Sequence, residues 1–140
     1  MSKRTPTLLG SIVGLFSIFL FVAAIGSPQT PYKIFPVTVT HWNEMLTDVK
    51  SQPGMKCKDS SEHQYICDSA SPPTIWVFTQ PGHPAHPAAS RGVMVFHGDA
   101  IDIDRTGYYA GDRPAFISWM HAFEILDTRQ VETWRNMVGH

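Results

Sequence analysis

The fold of this chain is decided by residues 74–87, which read TIWVFTQPGHPAHP. The first six residues are uncharged and rich in β-branched and aromatic side chains, which predicts a central strand of a sheet. Pro81 and Gly82 end this strand, and the prolines that follow make the next connection extended and stiff. Residues 93–96, VMVF, then resume a strand that we expect to lie beside the first one.

The rest of the pattern predicts an α+β domain with a mostly antiparallel sheet of about four strands, packed against an N-terminal and a C-terminal helix. A short strand is expected at residues 64–66, and residues 101–104 alternate Ile and Asp, as in the second strand of a hairpin. Thr40 is the expected N-cap of a helix of about ten residues that ends near Ser51.

Asp112 is the expected N-cap of the last helix, where Pro114 fits the first turn. The apolar positions of this helix form one stripe, which predicts that it covers one face of the sheet. These positions are Phe116, Trp119, Met120, Phe123, Leu126, Val131 and Trp134.

Residues 1–26 have the layout of a signal peptide or a membrane anchor. Lys3 and Arg4 precede an uncharged run at residues 8–25, which as a helix is about 27 Å long and spans most of a bilayer core. Cleavage after Ala24 or Gly26 would release the rest of the chain, whereas an uncleaved run would hold it at the membrane.

In both cases the remaining chain lies outside the cytoplasm, in the periplasm or anchored in the inner membrane. Residues 27–39 contain three prolines and are interpreted as an extended linker. Residues 40–140 are enough for one exported domain with a single core, and too few for two.

The charge balance and the cysteines limit the kinds of partner and compartment. Lysine and arginine number 11 against 12 aspartate and glutamate, so the clustered basic surface of a nucleic-acid-binding protein is not indicated. Cys57 and Cys67 are close in sequence, and an oxidising compartment would join them in a disulfide that closes a hairpin. Two thiols without a second pair of ligands make a poor zinc site.

The histidines of residues 80–87 are the strongest candidates for a functional role. His83 and His86 are three residues apart in a proline-rich segment, a spacing that places both rings on one side of a polyproline turn. Such a pair could contact a partner or ligand, bind a metal or transfer a proton. The structural alternative is that one ring hydrogen-bonds a neighbouring strand while the other is solvated.

Three further residues are candidate binding residues, namely His97, Asp102 and Asp104. The aspartates are two positions apart on a strand, with about 6.6 Å between their Cα atoms, so their carboxylates face the same way. They could act as an acid and base pair or lie on a solvated strand face. Asp102 also begins a D-x-D-x-x-G pattern, but Arg113 stands where the closing glutamate of a calcium loop belongs, so we exclude an EF-hand.

The string FTQPGHPAHP at residues 78–87, followed by GYYAGD at residues 107–112, resembles small uncharacterised exported bacterial proteins. Those proteins carry an F-T-x-P-x-x-P-A-H-P strand-loop element and a G-Y-x-A-G-D helix start. The resemblance covers residues 74–125 and implies a shared fold and a bacterial envelope location. It assigns no catalytic residues.

These observations favour a non-catalytic envelope protein that binds a partner protein or a small ligand, such as an accessory subunit, an assembly factor or an inhibitor or immunity protein. No metal, cofactor or nucleic acid is expected, and membrane contact is expected only through the N-terminal segment. The alternatives are a small periplasmic hydrolase that uses the histidines and aspartates, and a metal-handling protein. A hydrolase is disfavoured because the sequence has no G-x-S-x-G motif and its only thiols are expected to be oxidised.

Overall fold

The computed structural model describes residues 30–139. This part of the chain forms, in order, β1 (Lys33–Pro36), α1 (Val39–Ser51), β2 (Lys56–Ser60), β3 (Gln64–Ala70), β4 (Pro73–Thr79), β5 (Ala88–His97), β6 (Ala100–Tyr109) and α2 (Arg113–Val138). The apolar run at residues 8–25 and its two expected cleavage sites lie outside the described residues. No helix within residues 30–139 combines the length and apolarity needed to cross a membrane.

The strands form one sheet in the order β1-β6-β5-β4-β3-β2. The predicted α+β class is confirmed, but the expected number of strands is wrong, because the sheet has six strands rather than about four. It is mixed, since β1 runs parallel to β6 while every other pair is antiparallel. As predicted, β4 lies inside the sheet and β5 and β6 form a hairpin.

The two strands that the sequence did not predict are the edges of the sheet. β1 falls inside the predicted linker, where Pro31 precedes it and Pro36 is its last residue, and it pairs Lys33 with Thr106 of β6. β2 is mostly polar, as is common for an edge strand, where charged side chains prevent pairing with other chains. Pro36 removes one backbone donor from the other edge.

The two helices cover opposite faces of the sheet. On β4, Trp76 and Phe78 belong to the core beneath α1, whereas Val77 belongs to the core beneath α2. We call these two sides of the sheet the α1 face and the α2 face. Because β4 is buried on both sides from Trp76 to Phe78, this part of its sequence is continuously apolar rather than alternating.

The observed N-cap residue matches the predicted one at α2 but not at α1. Asp112 caps α2, and its carboxylate accepts a hydrogen bond from the Ala115 backbone N–H at 2.9 Å. α1 ends at Ser51 as predicted, but its N-cap is Thr38 and not Thr40, with the Thr38 hydroxyl accepting from the His41 N–H at 3.1 Å. The predicted helix therefore begins about two residues too late.

The predicted apolar stripe of α2 is largely confirmed. Phe116 and Met120 are fully buried and Trp119 nearly so, whereas Leu126 is 55% exposed. The next residue, Asp127, takes the position that faces the sheet. The stripe prediction failed there because an aspartate was not expected in the core.

A buried ion pair joins α2 to the sheet. Arg105 donates from Nε and Nη2 to the Asp127 carboxylate at 2.7 and 2.8 Å, and from Nη1 to the Ser90 hydroxyl at 2.8 Å. The Tyr32 hydroxyl donates to the same carboxylate at 2.7 Å, and burial together with this hydrogen bond raises the pKa of Tyr32. Gly92 leaves room for the guanidinium, since a Cβ there would lie 2.7 Å from Nη2.

Cys57 and Cys67 form the predicted disulfide. The two residues are direct cross-strand partners of β2 and β3, with their Cα atoms 4.0 Å apart. The bond fastens the edge strand β2 to the rest of the sheet, next to the core beneath α1.

Candidate functional site at the histidine loop

Residues 80–87, which we call the histidine loop, connect the neighbouring strands β4 and β5. The loop folds as two successive turns, with the His83 N–H donating to the Gln80 carbonyl and the His86 N–H donating to the His83 carbonyl, each at 3.0 Å. Ala85, between the two histidines, is fully buried in the core beneath α2. The loop is therefore part of the packed domain.

His83 lies against α2. Its ring meets that of Trp119 with centroids 5.2 Å apart, and its Nδ1 accepts a hydrogen bond from the Ala85 backbone N–H at 3.0 Å. Burial, followed by the nearby His63 and His86, lowers the pKa of His83. The neutral ring then carries its proton on Nε2, because Nδ1 is already an acceptor.

His86 lies on the opposite side, against α1. Its ring meets that of Trp42 with centroids 5.2 Å apart, and its Nδ1 is 2.9 Å from the Thr79 hydroxyl. That hydroxyl donates to the Ala88 carbonyl and accepts from the Ala88 N–H. All of these bonds are satisfied together when the proton of His86 is on Nδ1, which leaves Nε2 as an acceptor.

The expectation that both imidazoles share one side of the loop is therefore wrong. A polyproline turn would align residues three apart, but the two consecutive turns direct His83 to the α2 side and His86 to the α1 side. The buried Ala85 separates them. The result is a pair of rings with complementary chemistry, in which His83 offers a donor and His86 offers an acceptor.

A third histidine adjoins the loop and was not predicted from the sequence. His63 lies in the turn between β2 and β3, and its carbonyl accepts from the Gln80 N–H at 2.8 Å. Its ring lies over Gly82, where a Cβ would be 3.3 Å away. Only the pairing of β3 with β4 brings His63 to this end of the sheet, so sequence spacing contains no signal for it.

A cleft of about 440 Å³ opens beside the loop on the α1 face. Its lining combines apolar walls with a polar rim, from Trp42, Leu46, Lys50, Asp59, Tyr65, Thr79, Gln80 and Pro81. At the rim, the Gln80 amide donates to the Asp59 carboxylate at 2.6 Å and the Lys50 ammonium lies 5.0 Å from the centre of the Tyr65 ring.

The indole N–H of Trp42 is buried and has no hydrogen-bond partner within residues 30–139. A buried donor without an acceptor is unfavourable by about 1–3 kcal/mol. Because Trp42 contributes to the wall of the cleft, an acceptor group that entered beside it could relieve this cost after a small side-chain adjustment.

The remaining predicted site residues lie at the other end of the sheet. His97 ends β5 and is exposed, and Asp102 and Asp104 lie on β6 with their side chains exposed. The Asp102 carboxylate accepts from the adjacent Ile103 N–H at 2.8 Å. The five predicted binding residues thus form two separate groups, with only His83 and His86 at the loop.

A second cavity, of about 380 Å³, lies on the part of the α2 face that α2 leaves open. Its floor includes Ile66, Ile75, Met94 and Ile103, and Ile75 is 44% exposed. It contains none of the predicted site residues. The buried Arg105 also lines this cavity, but its guanidinium is already paired with the Asp127 carboxylate.

Within residues 30–139, no three side chains of histidine, cysteine, aspartate or glutamate are grouped so that they could bind a metal ion. His63 and His86 are close enough to His83 to contribute to its lowered pKa, but His83 and His86 direct Nδ1 into the hydrogen bonds of the loop. The arrangement is suited to hydrogen bonding with an approaching molecule.

No protein-family model, curated protein or solved structure matches the chain. Function is therefore inferred from the geometry and chemistry of the described residues.

Proposed function

We propose that this chain is a non-catalytic protein of the bacterial envelope that binds a partner protein or a small ligand through the histidine loop and the adjacent cleft. An accessory subunit, an assembly factor and an inhibitor or immunity protein all fit this role. The signal-like sequence at residues 1–26 and the Cys57–Cys67 disulfide support a location outside the cytoplasm.

The observation that best supports the proposal is that hydrogen bonds orient two imidazoles, one of which presents a donor and the other an acceptor. The Nδ1 atoms of His83 and His86 are held by Ala85 and Thr79, so both rings are oriented before any partner arrives. Preorganised polar groups lose little conformational entropy on binding, which favours recognition. The cleft beside them adds a largely buried Trp42 and a half-buried Tyr65, the residue types that dominate binding energy in interfaces.

A catalytic role for the loop histidines is disfavoured by the position of the carboxylates. The hydrolase hypothesis pairs His83, His86 or His97 with Asp102 or Asp104, and the two aspartates lie five or more residues before the end of β6 that meets His83 and His86. At about 3.3 Å per residue, this separation exceeds 15 Å. General acid–base chemistry needs hydrogen-bond reach.

The proposal can be tested by photo-crosslinking in the intact envelope. A photoreactive residue at Pro84, which is exposed at the loop, should give a discrete crosslinked product. The same residue at Thr128, exposed on α2, is the matched control. Products of equal yield at both positions, or at neither, would contradict recognition through the loop.

A further inference from the structure

The end of the domain opposite the histidine loop exposes a group of apolar side chains. Phe96 is 52% exposed, Met137 is 63% exposed and Val138 is 46% exposed. The Trp134 ring lies 5.9 Å from Phe96, and its indole N–H donates to the Asp99 carbonyl at 2.9 Å. We call this end, formed by the β5–β6 turn and the last turn of α2, the tip.

The first described residues lead toward the tip. β1 runs parallel to β6 and begins level with Thr106, so residues 30–32 continue back along β6 in the direction of the tip. Pro31 shares a surface cavity with Asp102 and Arg135. Arg135 in turn lines the cavity between α2 and the β5–β6 turn.

The length of chain between the apolar run and the domain limits how far the domain can stand from a bilayer. Ile25 ends the run and Thr30 begins the described structure. Five residue steps span at most about 18 Å. A retained anchor therefore keeps the tip close to the lipid headgroups.

We propose that the tip is a membrane-contact surface, which rests in the interfacial region of the bilayer that holds residues 8–25. Phe96, Met137 and Val138 would enter the acyl boundary, while Trp134 would lie at the headgroup level that tryptophan prefers. This extends the sequence-based expectation that only the N-terminal segment touches the membrane. It is independent of the partner proposed for the loop.

The charges at the tip indicate which kind of membrane contact this is. Arg135 shares its cavities with Asp99, Asp102 and Glu132, so acidic side chains outnumber it there and attraction to anionic lipids does not supply the contact. Apolar insertion supplies the contact, which added salt should therefore not weaken. The contact also determines how the domain is oriented. β6 has 10 residues and spans about 33 Å, which separates the tip from the histidine loop. The loop would therefore face away from the bilayer and toward envelope partners.

The test uses the full chain in vesicles of phosphatidylethanolamine and phosphatidylglycerol, with a spin label at Met137→Cys. The control label at Ser61→Cys lies in the exposed turn between β2 and β3, at the loop end. Collisions with oxygen, which concentrates in lipid, are compared with collisions with a water-soluble nickel chelate. The label at position 137 should favour oxygen several-fold more strongly than the label at position 61, at low and at high salt.

Equal chelate accessibility at both positions would overturn the proposal. Spin–spin broadening at position 137 that disappears on dilution with unlabelled chain would also overturn it, because a second copy would then cover the tip. Val138→Cys repeats the measurement if the first variant folds poorly. Recovery of the native protein from the envelope as a soluble chain without residues 1–24 or 1–26 would likewise refute membrane contact by this end.

Discussion

The imidazole of His86 meets the indole of Trp42 edge-on, with their centroids 5.2 Å apart and their planes at 88°. This contact joins the histidine loop to α1, and Trp42 also lines the cleft beside the loop. A molecule that displaces Trp42 must therefore also affect His86. Gln80 and Pro81 of the loop also line the cleft, so in the proposed function the loop and the cleft would act as one binding surface.

The hydroxyl of Thr79 should be important for the stability of the loop. Thr79→Val keeps the shape but removes three hydrogen bonds, to His86 and to the N–H and carbonyl of Ala88. We expect a loss of about 1–3 kcal/mol in the free energy of unfolding, measured by urea denaturation. Thr47→Val, on the exposed side of α1, is the control and should change it by less than about 0.5 kcal/mol. Equal effects would show that the Thr79 network does not stabilise the loop.

The buried ion pair gives a second stability prediction. Asp127→Asn leaves the Arg105 guanidinium buried without its counter-charge, which should cost about 3–5 kcal/mol in the free energy of unfolding. Glu132→Gln, at an exposed position five residues further along α2, should be nearly neutral. If thermal and urea unfolding of the Asp127 variant match those of the wild type, the pair does not join α2 to the sheet in the way described.

Much of the fold was predictable because local pattern and burial agree. β4 is continuously apolar because Trp76 and Val77 are buried on opposite faces, and Asp112 caps α2 in the ordinary way. β1 was not predictable, since its four residues pair with a strand about 70 positions later. Long-range parallel pairing leaves no local signal.

The site was predictable only in part. The spacing of His83 and His86 identified the loop, but not the side on which each ring lies. The contributions of Trp42 and His63 were not predictable, because tertiary packing alone brings α1 and the β2–β3 turn to the loop. Charged residues are usually exposed to solvent, so nothing in the sequence indicated that Arg105 and Asp127 form a buried ion pair.

The lowered pKa of His83 predicts a pH dependence of stability. The unfolded chain binds a proton near its ordinary pKa of 6.5, whereas the folded chain does so only at lower pH. Stability from this residue is therefore present above about pH 6.5 and is lost as the pH falls below it. His83→Asn should show a smaller decrease in urea midpoint between about pH 7.5 and pH 5.5 than the wild type, whereas the exposed His97→Asn should not. An unchanged decrease in His83→Asn would contradict the assignment.

The disulfide should stabilise the domain by restricting the unfolded chain. Replacement of Cys57 and Cys67 by serine should lower the free energy of unfolding by about 2–3 kcal/mol on the chain-entropy model. Reduction of the wild-type protein serves as the control and should give a similar decrease. Free alkylation of both thiols in native protein taken directly from its compartment would contradict the bond.

The most direct test of the central claim separates the two nitrogens of each histidine. His83→Asn/His86→Asn retains a polar atom near each Nδ1 position but deletes both Nε2 atoms, and His83→Gln/His86→Gln does the reverse. The decisive measurement is the affinity of the asparagine double variant for the partner captured at Pro84, taken together with its melting temperature. We predict a melting temperature within a few degrees of the wild type and an affinity at least about tenfold weaker. Wild-type affinity in a folded asparagine double variant would contradict recognition through the histidine loop.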